Sequence, residues 1–396
     1  MAGVSANGAL ATPLLFTSGA GGAVRDGVLA WEGSVITYAG PANTFSGSAE
    51  RVAGAVVPGF VDCHTHLPFF GWRVDEFEAR LAGRTYRDVQ GEGGGIARSA
   101  RMLAEASDDD VVAFCRPLAT EMLAHGTTSL ELKTGYGLSV EAELRQARLA
   151  RRLAEELEQT CTVTLLACHA VPPGMERAEW VEVVGAELIP RAASEGLVDA
   201  VDVYVEDIAF TIGDLEAVAA VAGQHGLPLR VHADQLGDSG AAGAAARLGA
   251  RSADHLNHAS EESARELARS GTTAVLLPAS TFMLRATPPP VHALVDAGAT
   301  IALATDFNPG TSPVLSMPEA IAIGCSLYGL DPASAITAAT AGGAGVLGLD
   351  DRGSLDVGSR ADFCVLDGGI ELVPYRAGHN PVQATFIEGR LVSGAL

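Results

Sequence analysis

His64 and His66 stand one residue apart at the end of the apolar run AVVPGFVDC (Ala55–Cys63). Alternate residues of a strand point to the same side, so two imidazoles in this pattern can converge on one ion. An H-x-H pair on its own arises readily by chance. Three further candidates, however, follow other apolar runs: His232 after PLRV, His255 after RSAD and Asp306 after TIALAT. Histidines plus a carboxylate form a nitrogen and oxygen set suited to zinc or ferrous iron, with coordination positions left for water. Cys63 and Cys168 each directly precede a histidine. They should therefore point to the opposite face, and they read as packing residues rather than thiolate ligands.

Short β-branched runs alternate with longer Ala/Leu/Glu-rich stretches of helical period, which predicts repeated βα units and a parallel sheet. Eight runs qualify: Val56–Asp62, Thr127–Leu132, Thr162–Cys168, Ala200–Val205, Pro228–Val231, Arg251–Asp254, Thr273–Leu277 and Thr300–Thr305. Helices are expected over Asp109–His125, Val140–Gln159, Arg177–Glu195, Gly213–His225, Ser239–Leu248, Glu261–Ser270 and Val291–Ala297. Glycines follow several of them, at Gly126, Gly226, Gly249, Gly271 and Gly298, where a left-handed cap costs little. Eight strand–helix units predict an α/β fold, a closed (β/α)8 TIM-type barrel whose chemistry sits at the C-terminal ends of the strands. The residues just past the runs are His64 and His66, Lys133, His169, Glu206, His232, His255, Pro278 and Asp306. Seven of these eight ends carry a titratable group, more than ordinary strand termini explain.

Both chain ends look different. Thr12–Val57 and Gly353–Leu396 hold short alternating segments broken by glycines, which predict a small sheet domain assembled from residues 1–57 and 353–396 around a barrel at 58–352. The first seven residues read as a loose tail, and the stretch from Leu67 to Asp108 reads as one long loop of the size that is usually functional.

The balance of 26 Lys+Arg against 48 Asp+Glu, a net charge of −22, excludes a nucleic-acid binder and disfavours anionic membranes. With 48% hydrophobic residues the chain should bury a sizeable core. No stretch approaches the roughly 18–20 apolar residues of a membrane helix, and the first cation is Arg25, so a cytoplasmic protein is expected. Six cysteines without a C-x-x-C pair read as reduced.

The segment VPGFVDCHTH (Val57–His66), the late histidines and ATDFNPGTSP (Ala304–Pro313) resemble the amidohydrolase superfamily. That family has a (β/α)8 barrel with a small β-sandwich built from both termini. Within it the chain resembles the imidazolonepropionase family through DEFEARLAGRTY with GGGI (Asp75 to Ile96), ELKTGYGL (Glu131–Leu138), CHAVPP (Cys168–Pro173), HADQL (His232–Leu236), SADHLNH (Ser252–His258) and VLLPAS (Val275–Ser280). The resemblance implies one divalent metal, zinc or iron, held by His64, His66, His232 and Asp306, with His255 touching the attacking water or the substrate carbonyl. It places substrate binding at Arg73, Tyr136, His169, Gln235, Asn308, Gly310 and Thr311. It implies hydrolysis of the cyclic amide 4-imidazolone-5-propanoate to N-formimidoyl-L-glutamate in histidine degradation, and it suggests a homodimer.

Some members carry glutamate where this chain has Gln235. Glutamine transfers no proton at neutral pH, so the proton acceptor is expected to be Asp306, with Gln235 orienting the ring amide. The small-molecule substrate bears a carboxylate and needs a cation, for which Arg73 is the natural candidate. The alternative for Arg73 is an ion pair with Asp75 or Glu76. Binuclear members bridge their metals from the fourth strand. Lys133 ends the second and Glu206 the fourth, and the resemblance favours a mononuclear site, with Lys133 paired to a carboxylate or holding the Gly135–Gly137 turn. A sibling amidohydrolase, such as formimidoylglutamate deiminase or a heterocycle deaminase, would carry the same metal set. A non-catalytic barrel should have lost ligands that this chain retains.

Overall fold

The first apolar run does not form one strand. Gly59 divides it: Val56–Pro58 joins one sheet and Phe60–Asp62 opens another. A Cβ at position 59 would collide with the Thr128 side chain, so the chain can cross between sheets here only without a side chain. The computed structural model describes residues 7–396; the tail expected at the N-terminus falls, for residues 1–6, outside the described residues.

The strands are β1 (Gly8–Phe16), β2 (Ala23–Glu32), β3 (Val35–Pro41), β4 (Glu50–Arg51), β5 (Val56–Pro58), β6 (Phe60–Asp62), β7 (Thr127–Lys133), β8 (Thr160–Cys168), β9 (Ala200–Val205), β10 (Leu229–Ala233), β11 (Ser252–His255), β12 (Thr273–Leu276), β13 (Ile301–Leu303), β14 (Phe363–Leu366), β15 (Val382–Ile387) and β16 (Arg390–Gly394). Strands β6 to β13 form one parallel sheet in sequence order. Its two edges meet where Thr65 bridges Phe307 and the His66 N–H donates to the Phe307 carbonyl at 2.9 Å, so the barrel closes beside the histidine pair. The second sheet, ordered β16-β15-β14-β5-β1-β2-β3 with β4 on β1, draws on both chain ends and packs Trp31, Phe363 and Phe386 into its own core.

Barrel strands are almost wholly buried because helices cover their outer faces, which is why they read as continuous apolar runs. Side-chain caps start the helices: Ser139 accepts from Ala142 N, and Thr211 and Asp214 form a reciprocal capping box. The five glycines expected to cap helices all adopt φ between 66° and 89°. The Arg177–Glu195 stretch is helical but widens over Val184–Leu188, just before Pro190, which has no N–H to donate and crowds the carbonyl four residues back.

The Leu67–Asp108 stretch is not one long loop. It holds helices Val74–Leu81, Tyr86–Gly91 and Gly95–Glu105, the last burying Ile96, Ala100 and Leu103 at helical spacing. Glycine and charge on its open face obscure that period in the sequence. This segment lies against the end of the last barrel strand: the Arg73 N–H donates to the Pro309 carbonyl at 3.0 Å, and Arg80 donates to the Gly310 carbonyl at 2.9 Å. Among the described residues no helix is long and apolar enough to cross a membrane.

Candidate active site

The C-terminal ends of β6, β10, β11 and β13 bring His64, His66, His232, His255 and Asp306 into one buried cluster. Ligand atoms of His64, His66 and Asp306 lie within 4.8 Å of one another, as do those of His64, His232 and His255. Asp306 Oδ1 is 3.3 Å from His66 Nε2 and 3.6 Å from His64 Nε2. The far sides of two rings are fixed by carboxylates: His64 Nδ1 donates to Asp254 at 2.6 Å and His232 Nδ1 to Asp202 at 3.0 Å. The proton therefore sits on Nδ1, and the Nε2 lone pair is presented to the cluster. Nε2 of both His64 and His232 is buried without a hydrogen-bond partner. Orphaned, buried imidazole lone pairs beside a third imidazole and a carboxylate fit a divalent cation. The Asp202–His232–Asp254 grouping, also close enough to hold an ion, is already engaged through Nδ1 atoms and Lys133 and serves as support.

Burial pushes the pKa of His64, His66 and His169 well below the ordinary value and that of His255 down to about 3, so these rings are neutral near pH 7. Burial raises the pKa of Asp306, opposed by His255 and His232. His255 (φ 75°) and Asp306 (φ 55°) are both left-handed, a strained backbone that turns their side chains inward from the strand ends.

Beneath the histidines lies a fully buried layer of charge. Lys133 Nζ meets Asp202 at 2.6 Å and Glu131 at 2.8 Å, and Arg230 pairs with Glu131 and donates to Thr164 Oγ1 at 2.9 Å. Burial alone would raise the Asp202 pKa, but His232 and Lys133 hold it well below the usual carboxylate range. Lys133 is thus the carboxylate partner of a supporting layer, not a metal bridge. Removing it leaves two buried carboxylates without their shared cation. Lys133→Ala is expected to cost about 3–5 kcal/mol in urea denaturation, and a loss under about 1 kcal/mol would show that the layer is not held by this cation.

Above the cluster, a narrow cavity is lined by Arg73, Tyr136, His169, Gln235, Asn308 and Thr311 together with His66, His232, His255 and Asp306. Arg73 is buried, and its Nε and Nη1 have no hydrogen-bond partner. The ion pair expected as the alternative for Arg73 is present with Glu76, at 3.5 Å, whereas Asp75 is taken by Arg98 at 2.5 Å. The His169 ring stacks on His66 at 5.1 Å. The Asn308 amide is occupied internally: Oδ1 accepts from Gly310 N, Thr311 N and Thr311 Oγ1, and Nδ2 donates to the Asp306 carbonyl at 2.7 Å. Its evident work is to shape the turn after Asp306. Gly310 lies under the Arg73 guanidinium, outside the cavity lining.

The family model for the amidohydrolase family matches residues 55–392. The chain is 42% identical over 386 residues to imidazolonepropionase of Paracoccus denitrificans, covering 95% of this chain and 96% of that one. It is 43% identical over 379 residues to imidazolonepropionase of Methylobacterium nodulans, covering 93% and 94%. The chain belongs to the amidohydrolase family, in its imidazolonepropionase branch. Solved structures show the same amidohydrolase fold at low identity. An adenosine deaminase from Xanthomonas campestris with bound zinc aligns at TM-score 0.72 and 21% identity, over 98% of this chain and 92% of that one. A zinc-complexed atrazine chlorohydrolase from Arthrobacter aurescens aligns at 0.75 and 15%, over 98% and 95%.

Several site residues of this amidohydrolase lie outside the motifs of its sequence: Tyr204 lines the cavity, and Asp202 and Arg230 support it, while Ile96, Glu131 and Asp254 fall within motifs that give them no role of their own. Arg230 stands two residues before His232 and Asp202 two before Tyr204, so charges at the inward period of fully buried strands are the signal that points to them. The Gly135–Gly137 turn is held by Glu143, which accepts from Gly135, Gly137 and Leu138 amides, and by Gln146 on Tyr136 N, not by Lys133. The Cys63 and Cys168 thiols are buried with pKa values pushed up by burial, consistent with packing.

Glu206 does not join the histidine cluster. It accepts the Leu236 N–H at 2.7 Å and so holds the turn that carries Gln235. Burial raises its pKa from 4.5 to about 7, so the folded state resists its ionisation. Below the unfolded pKa this costs nothing; as pH rises the unfolded chain ionises first and stability falls until the folded pKa is passed. Glu206→Gln keeps an acceptor but cannot ionise. Its melting temperature should pull ahead of wild type between about pH 5 and pH 8, whereas a gap independent of pH would remove Glu206 as the cause.

Proposed function

We propose that this chain hydrolyses 4-imidazolone-5-propanoate to N-formimidoyl-L-glutamate, using one divalent ion, zinc or ferrous iron, held by His64, His66, His232 and Asp306. The observation that carries the reading is Arg73: a buried guanidinium lining the same cavity as the histidine cluster, with Nη1 lacking a hydrogen-bond partner among the described residues and Nε meeting only Glu76 at 3.5 Å, leaves donors for an anionic substrate there. The relatives' shared name supports the ring and the propanoate arm.

A bound cation supplies Lewis acidity, lowering the pKa of water from about 16 toward about 7. Asp306 accepts the proton of the attacking water and returns it to the ring nitrogen as the C–N bond of the cyclic amide breaks. His255, neutral at pH 7, donates a hydrogen bond to the oxyanion that develops on the ring carbonyl. Arg73 grips the propanoate, Tyr136 and His169 flank it, and Gln235 orients the ring amide without taking a proton. Asn308 and Thr311 keep Asp306 and the Gly310 turn in place.

Metal-loaded protein should convert freshly generated 4-imidazolone-5-propanoate to N-formimidoyl-L-glutamate, and a chelated sample should not. A protein with about one metal per chain and no turnover would sink the substrate assignment and turn attention to formimidoylglutamate and heterocyclic amines. Gly310 offers a finer test. A Cβ there would run into Arg73 Nη2, the flexible end of a side chain, so the arginine must move while the fold need not. Gly310→Ala should raise KM about tenfold with kcat and melting temperature little changed. Unchanged KM would show that Arg73 does not anchor the substrate.

A further inference from the structure

Outside the catalytic cavity lies a second and much larger one, of about 760 Å³ against about 30 Å³ for the inner space. Gln235 lines both, and Arg80, in the wall of the outer one, donates to the carbonyl of Gly310, next to Thr311 of the inner one. The two spaces are therefore neighbours separated by the Gln235 side chain and the Gly310 turn.

The outer lining is unusual for this chain. In a protein of net charge −22, every formally charged side chain that lines it, among the described residues, is an arginine: Arg80, Arg84 and Arg285. Arg285 is exposed and has no ion-pair partner among the described residues; it ends the helix Pro278–Leu284 in a left-handed conformation (φ 53°) where glycine is usual. Arg84 shares its charge with Glu92 at 2.5 Å, and both are well exposed. Between the arginines the walls are apolar, formed by Phe77, Leu81, Phe282 and Leu284. Guanidinium forks set in an apolar wall match a short aliphatic chain ending in carboxylate.

We propose that this cavity is a carboxylate-binding antechamber, which takes short aliphatic carboxylate chains, the propanoate arm of the substrate arriving and the dicarboxylate product leaving, before or after they occupy the inner site. The assignment of those occupants rests on the reaction proposed above; the carboxylate chemistry of the cavity does not. The device answers a physical problem, because a strongly acidic surface repels an anionic substrate unless charge is reversed locally at the approach to the site.

The test uses glutarate, which cannot react, on metal-loaded protein carrying Arg73→Ala so that the inner anchor is absent. Calorimetry should show about one glutarate per chain, bound more weakly as salt rises. Adding Arg84→Ala and Arg285→Ala should weaken that binding at least about tenfold, whereas Arg84→Lys with Arg285→Lys, which keeps the charge but not the fork, should weaken it clearly less. No binding to the Arg73→Ala protein, or equal binding after both further alanines, overturns the proposal. A loss in the lysine variant as large as in the alanine one would trace the effect to damaged packing and overturns it too. Turnover of 4-imidazolone-5-propanoate by wild type is read separately: if it fails while glutarate still binds, the substrate reading falls and the antechamber stands.

Discussion

Asp306→Asn is expected to lower kcat by about 10³- to 10⁴-fold, the largest loss of any single substitution in this chain. Asparagine preserves the volume and leaves the backbone carbonyl of residue 306 free to keep its bond from Asn308, so the turn after β13 should hold. What it removes is, among the described residues, the only carboxylate that lines the cavity beside the histidine cluster. Two of the roles proposed for it go at once: a negative ligand beside His64 and His66, and the group that would move the proton between water and ring nitrogen. Metal content separates them. A variant that binds about one ion per chain yet turns over within tenfold of wild type would take the proton role away from Asp306. A variant that has lost its ion is to be remeasured at saturating metal, where the proton deficit should persist.

Arg73→Ala is expected to reduce kcat/KM for the propanoate substrate by about 10²-fold, mostly through KM, because charge-assisted bonds to a carboxylate inside a buried site are lost without water to replace them. The comparison that isolates this effect is a ring substrate lacking the propanoate arm. With that substrate, wild type and Arg73→Ala should give nearly the same kcat/KM, and Arg73→Lys should recover only part of the loss on the full substrate, since a point charge does not reproduce the fork. An equal loss on both substrates would mean that Arg73 supports the fold of the Val74–Leu81 helix, for instance through Glu76, rather than the substrate.

Much of this site is legible in the order of residues alone. Fully covered barrel strands leave apolar runs that end abruptly in His64, His66, His232, His255 and Asp306, and the abruptness is itself the signal, because inward residues at strand ends are the ones that meet. Helix ends are equally plain, since a left-handed glycine marks them locally. Less legible are elements whose patterns are diluted. The Leu67–Asp108 segment hides three helices behind glycine and charge, and the run at Val56–Asp62 conceals a passage between two sheets that only the contact of Gly59 with Thr128 explains.

The sequence by itself determined the kinds of side chain at the mouth of the barrel and their order along the chain, because periodicity and strand termination are local properties. The tertiary structure decided which of them touch. Asp254 reaches His64 from 190 residues away, Lys133 pairs with Asp202 and Arg230 with Glu131 from different strands, and Asn308 folds back to hold the Asp306 carbonyl. Such pairings depend on the register between neighbouring strands and on the depth of each layer inside the barrel. A shift of one residue would turn every inward group outward, and nothing in the spacing along a single strand fixes its height against the next. The antechamber is of the same kind: its arginines come from separate segments, and they form one basic wall only because the Val74–Leu81 helix and the Pro278–Leu284 helix border the same cavity.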